Sequence, residues 1–176
     1  MNRLMTMLSA ASLALTLAAC AAMPASAPVS AATSAPADRG RADYQTMMAW
    51  NAAYRSQIDI MQNRLQEKMK EGNAAELSAE ALALTAQIKQ MLKSLNALDI
   101  RDQQIEALRA KSRETLVLSG LVLIQSAETM ASLDRPTGVD LAEQMKEVKQ
   151  NAEKLQQTQL ELQQLSERLS KLYEKR

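Results

Sequence analysis

Beyond residue 40, apolar residues return at steps of three and four through most of the chain. That spacing lines up side chains on one face of an α-helix. The first such stripe is Met47, Trp50, Tyr54, Ile58, Met61, Leu65 and Met69. It predicts a helix over residues 41–71 and leaves Arg55, Gln62, Gln66 and Glu67 for water. Gly72 is a stop signal, and Asn73 with Glu76 three residues later supplies a cap for a second helix. The second stripe is Leu77, Ala81, Leu84, Ile88, Met91, Leu95, Leu98, Ile105 and Leu108, which predicts a helix from residue 74 to at least residue 112. From Leu77 to Leu98 the steps alternate four and three, which is a heptad seam. Asp102 falls where the seam should continue. It either faces solvent where the partner helix ends or weakens the seam locally, and exposure is the ordinary outcome for a lone charge.

Residues 114–130 follow no such alternation. The run Leu116-Val117-Leu118-Ser119-Gly120-Leu121-Val122-Leu123-Ile124 is the most apolar of the chain beyond residue 20. A buried helix bent near Ser119 and Gly120 and a pair of short buried strands both suit these residue types. The polar flanks on either side favour the helix. A further role for the run is an exposed patch that meets a partner. It is too short to cross a bilayer, which takes roughly 20 residues. Pro136 then disfavours a helical backbone at Arg135, and Thr137 with Asp140 can cap a last helix that ends near residue 173. Its seam is Leu141, Met145, Val148, Ala152 and Leu155, then Thr158, Leu162, Leu165, Leu169 and Leu172. The step from Leu155 to Thr158 repeats a three, so the seam slips there. Helices of about 30–40 residues exceed the usual globular length. The pattern predicts an all-α fold, an elongated antiparallel bundle or coiled coil of three or four helices. Heptad seams fit an intramolecular bundle and a helix-exchanged oligomer alike.

Composition narrows the chemistry. Histidine and phenylalanine are absent, glycine occurs four times, and Cys20 is the single cysteine. No disulfide framework can be built, and a zinc site of nitrogen or sulfur ligands is nearly excluded. No glycine-rich phosphate loop or nucleophile elbow is present. Asp99 with Asp102, and Asp102 with Glu106, have helical spacing, and paired carboxylates can do acid–base work. Arg101, Arg109 and Lys111 crowd the same region, so an ion network is the expectation. We expect no enzyme, no metal and no cofactor. The 21 basic residues nearly balance 20 acidic ones, which leaves no basic excess for nucleic acid.

The N-terminal segment changes the picture most. Arg3 precedes residues 4–17, which are apolar apart from Thr6, Ser9, Ser12 and Thr16, and Leu17-Ala18-Ala19-Cys20 follows. This stretch resembles the lipobox of bacterial lipoproteins. The resemblance implies cleavage before Cys20 and acylation of its sulfur and new amino terminus by fatty chains such as palmitate. The expected organisation is a signal peptide at 1–19, a lipidated cysteine and flexible tether at 20–40, and a helical domain at 41–176. The tether carries Pro24, Pro28 and Pro36 among Ala, Ser and Thr. Fully extended it spans roughly 60 Å at about 3.1 Å per residue. Each buried methylene of an acyl chain contributes about 0.8 kcal/mol, so two or more chains hold the protein to membrane lipid durably. Ala21, rather than an aspartate, follows the cysteine. Under the sorting rules of enteric-type bacteria, that implies the periplasmic face of the outer membrane rather than the inner membrane. The competing reading of Cys20 is a signal-peptide cysteine that is discarded, because the small residues before it would allow cleavage nearby.

Partner contact has several candidate residues. Trp50 and Tyr54 share a helical face and either cap the bundle core or stand exposed as an anchor. Gln150, Gln156, Gln157, Gln159, Gln163 and Gln164 give the last helix an uncharged polar face, which is either solvated or offered to a partner. The tail carries Lys171, Tyr173, Lys175 and Arg176. It loosely resembles the end of the major murein lipoprotein of enteric bacteria, although Arg176 here follows the lysine. That leaves electrostatic contact with peptidoglycan, or simple complementation of the helix dipole. The expected function is a non-enzymatic envelope lipoprotein that serves an envelope protein complex as scaffold, adaptor or assembly factor. Two alternatives stand beside it: a module that binds a hydrophobic ligand or peptide through Trp50, Tyr54 and residues 116–124, and a structural lipoprotein in contact with peptidoglycan.

Overall fold

The computed structural model describes residues 36–71, 74–134 and 141–174. They form four helices: α1 (Pro36–Glu71), α2 (Ala74–Asn96), α3 (Gln103–Asp134) and α4 (Leu141–Tyr173). No strand occurs among the described residues, so the fold is an all-α four-helix bundle. α3 packs along both α2 and α4, while α1 packs on α2 and reaches α3 and α4. No packing joins α2 to α4, which therefore lie across the diagonal. At 1.5 Å per residue, the 36 residues of α1 extend about 54 Å.

α1 starts at Pro36, earlier than the expected residue 41. Proline suits a first helical turn, because its missing N–H would have no partner there and its φ is preset. The first stripe buries Met47, Trp50, Ile58 and Met61 and half-buries Tyr54. The side chains of Leu65 and Met69 lie outside those described, as do the caps expected at Asn73 and Thr137. Ion pairs Arg64–Glu80 (3.2 Å) and Lys68–Glu76 (2.9 Å) tie α1 to α2 along their length.

The second stripe is divided between two helices, which corrects the expectation of one helix to residue 112. α2 ends at Asn96 and α3 begins at Gln103. Asp102 is the N-cap of α3: its Oδ1 accepts the Gln104 N–H (2.8 Å) and the Ile105 N–H (3.1 Å). The charge that interrupts the seam thus marks a helix start. Leu95, Ile100 and Ile105 stay buried on either side of the turn, so the stripe continues through space while the backbone reverses.

The apolar run 116–124 lies inside α3, and the two-strand alternative falls. Four buried hydroxyl side chains, Ser112, Thr115, Ser119 and Thr129, give this helix a small-residue face. Three of them bond the carbonyl four residues back: Thr115 to Lys111 (3.0 Å), Ser119 to Thr115 (2.8 Å) and Thr129 to Gln125 (2.7 Å). Burial therefore leaves these three hydroxyls satisfied within their own helix. α4 slips where the repeated step of three falls. It buries Leu155, Thr158, Leu162, Ser166 and Leu169, whereas Leu165 is half-buried and Leu172 is exposed.

Candidate functional site

The densest side-chain network lies at one pole, where the start of α1, the α2–α3 turn and the end of α4 meet. Asp43 is buried on α1, and its Oδ2 accepts two consecutive backbone N–H groups of the turn, from Arg101 (2.8 Å) and Asp102 (2.7 Å). A carboxylate taking two backbone donors is the charge-assisted arrangement that fixes a loop firmly. It holds Asp102 in place to cap α3. The other oxygen of Asp102, Oδ2, accepts the Tyr173 O–H at 3.3 Å, bringing in the end of α4. The Tyr173 ring stacks on Tyr44 with centroids 5.5 Å apart. Tyr44 in turn donates its O–H to Glu174 Oε1 (3.0 Å), and Ser170 donates to Glu174 Oε2 (2.7 Å).

Gly40 completes this clasp by what it lacks. A Cβ there would lie 2.7 Å from Tyr173 Oη and 2.8 Å from Asp102 Oδ2. Burial, then the negative charge of Asp102, raises the pKa of Tyr173 above the ordinary phenol value. The phenol therefore stays a neutral donor to the carboxylate.

The surrounding charges are paired locally. Exposed Asp99 and Arg101 bond each other (3.1 Å), which holds the Asp99 carboxyl below its usual range and the guanidinium above its own. Arg109 pairs with Glu106 and donates to the Leu98 carbonyl (2.7 Å), closing the end of α2. Of the two carboxylate pairs expected to share a helical face, Asp99 with Asp102 does not, whereas Asp102 and Glu106 keep the one-turn relation through the Glu106 N–H to Asp102 carbonyl bond (2.9 Å). Asp99 sits in the turn, Asp102 at a cap and Glu106 in the first turn of α3. Farther along, Lys111 bridges Glu114 and Glu161 at 2.9 Å each, linking α3 to α4.

Of the candidate contact residues, Trp50 is buried at 6 % exposure. Its Nε1–H donates to Ser94 Oγ (2.8 Å) on α2, and its ring meets the half-buried Tyr54 at 4.9 Å. This pair joins α1 to α2 inside the bundle, so the indole is not presented to a partner. Tyr173 is half-buried in the clasp and Lys171 is exposed in the last turn of α4. Cys20, Lys175 and Arg176 lie outside the described residues. Sequence reasoning missed Asp43 and Gly40. Asp43 gives no local signal, because its partners are 58 and 59 positions away.

The helical body matches one protein-family description, "Uncharacterised lipoprotein PM1805", over residues 41–174. The chain belongs to this lipoprotein family. The match reaches all four helices and includes Asp43, Asp102 and Tyr173, and it starts beyond the lipobox-like stretch and just after Gly40. No curated protein and no solved structure matches the chain. Among the described residues, no helix is long and apolar enough to cross a membrane.

Proposed function

We propose that this lipoprotein is a non-enzymatic envelope protein, acylated at Cys20, held at the periplasmic face of the outer membrane, and working as a scaffold or adaptor for another envelope protein. One observation carries the reading. The lipobox-like residues 17–20 and the lipoprotein-family match at 41–174 do not overlap, so two separate parts of the chain point to the same class. Between Cys20 and the start of α1, residues 21–35 would reach about 45 Å when extended at about 3.1 Å per residue. That length lets the body stand off the lipid surface. Confinement in two dimensions raises its effective concentration for membrane partners.

A scaffold role draws support from how the body's polar groups are used. Asp43 and Asp102 accept backbone donors, and Asp99 and Glu106 are paired with arginines. These carboxylates are engaged in building the fold, which supports the non-enzymatic reading. The end of α4 also lies beside Gly40, at the pole where the tether joins the body. Basic Lys171, in the last turn of α4, therefore shares a pole with the tether.

The test is Cys20→Ser in the native host. The variant should keep the helical circular dichroism of the body and leave the membrane fraction. A variant that stays membrane-bound with no acyl mass would refute anchoring at this residue.

A further inference from the structure

The apolar run of α3 is not fully used by the core. Its inner positions are buried, yet Val117 is 51 % and Leu121 39 % exposed, with half-buried Ile124 on the same outer face. Spacings of four and three place the three on one stripe. The stripe is bounded by exposed Arg113 on one side and exposed Glu128 on the other. Each lies four residues beyond the apolar residue nearest it. Among the described residues, neither charge has an ion-pair partner, whereas Lys111 and Glu114, which flank Arg113 in the sequence, are paired.

The order Arg113, Val117, Leu121, Ile124, Glu128 is its own complement when reversed. Arg113 with Glu128, and Val117 with Ile124, are both centred between residues 120 and 121. An antiparallel copy of the same helix therefore brings arginine against glutamate at both ends, apolar residue against apolar residue between them, and Leu121 beside its own mate. A two-fold interface needs this self-complementarity, because each contact occurs twice with roles exchanged. A parallel pairing would set arginine against arginine and glutamate against glutamate. The stretch from Arg113 to Glu128 runs about 22 Å at 1.5 Å per residue, roughly four turns of contact.

We propose that the outer face of α3 pairs two copies of this chain, antiparallel, about a two-fold axis beside Leu121. One helix face buries less than the roughly 1,200 Å² of a stable soluble dimer. The pairing therefore draws on concentration at a membrane surface, and in that respect it rests on the anchoring reading. Antiparallel copies carry their tethers at opposite ends, so a dimer held in one bilayer lies with its helix axes along the surface.

Full-length chain carrying Leu121→Cys is oxidised in its native membranes, beside the parent chain and a variant with Ala86→Cys on the exposed face of α2. Leu121→Cys should give a disulfide-linked homodimer that neither control gives. Arg113→Glu added to it should remove the dimer, and Arg113→Glu with Glu128→Arg should restore it, since the swap rebuilds both ion pairs only in the antiparallel register. The band is read in membrane and soluble fractions alike. A chain that leaves the membrane counts against the anchor, while absence of the dimer from both fractions overturns the pairing. Failure of the charge swap to restore the band, or crosslinking of Leu121→Cys to a different protein alone, overturns it as well.

Discussion

Two glycines show how much a single methyl group decides. Gly120 faces α2 with room to spare: a Cβ there would sit 3.6 Å from Ile88, an ordinary contact. Gly120→Ala removes a flexible residue from a helix interior and should raise stability by about 0.5–1 kcal/mol in urea unfolding. Gly40→Ala should do the reverse, because its Cβ would meet Tyr173 Oη at 2.7 Å and displace it from Asp102. A loss of about 1 kcal/mol, of the order of one hydrogen bond, is expected there. Tyr173 also carries a pH dependence. Its raised pKa means that the folded state holds the phenol proton more tightly than the unfolded chain does. The stability this provides is complete below the unfolded value near 10 and is lost as pH rises through the folded one. A titration by phenolate absorbance should therefore show a late ionisation step that Tyr173→Phe removes. A titration curve that Tyr173→Phe leaves with the same late step would contradict the clasp.

At the level of elements, the stripes were legible because helix burial is a local, periodic property. Met47, Trp50, Ile58 and Met61 point inward as their spacing predicts, and Thr158 is buried where the seam slips after Leu155. The seam then returns to its first register, burying Ser166 in place of the expected Leu165 and leaving Leu172 exposed. The break between α2 and α3 was not legible as a break. The apolar stripe runs on through Leu95, Ile100 and Ile105 in space, so periodicity alone reads one helix where there are two. Asp102 was the available signal, an N-cap residue type standing on a seam position. Asp43 had no signal, since its role depends on a turn far along the chain. Its importance is testable: Asp43→Ala leaves the Arg101 and Asp102 N–H groups without their acceptor and should cost about 1–3 kcal/mol. Asp43→Asn keeps an acceptor oxygen and should cost less. Equal effects of the two would mean that the charge, not the capping geometry, is what matters. Ser119 tests the small-residue face of α3. Ser119→Leu forces a larger side chain into a fully buried position and should destabilise by about 1–3 kcal/mol.

For the whole molecule, the bundle places its first and last turns side by side. Tyr44 and Gly40 on α1 meet Tyr173 and Glu174 at the end of α4, so α1 begins beside the end of α4. Along the opposite direction, Lys111 links α3 to α4 through Glu161. Hydrogen bonds donated by Gln157 and then Lys111 lower the Glu161 pKa, while those that Lys111 donates to Glu161 and then Glu114 raise its own. The glutamate's share is present above its unfolded pKa and fades as pH falls through the folded one. The lysine's is present below its unfolded pKa and fades as pH rises. Together they leave this bridge intact between about pH 5 and 10. In the proposed function, what the body does for the cell follows from where it is held, and that would depend on one sulfur atom, Cys20 Sγ. Intact-mass analysis of the protein from its native membranes tests this most directly. A chain that begins at Cys20 and carries the added mass of fatty acyl groups on that residue is the predicted result. A mature chain with an unmodified first residue, or one cut elsewhere so that Cys20 is lost, would contradict the account.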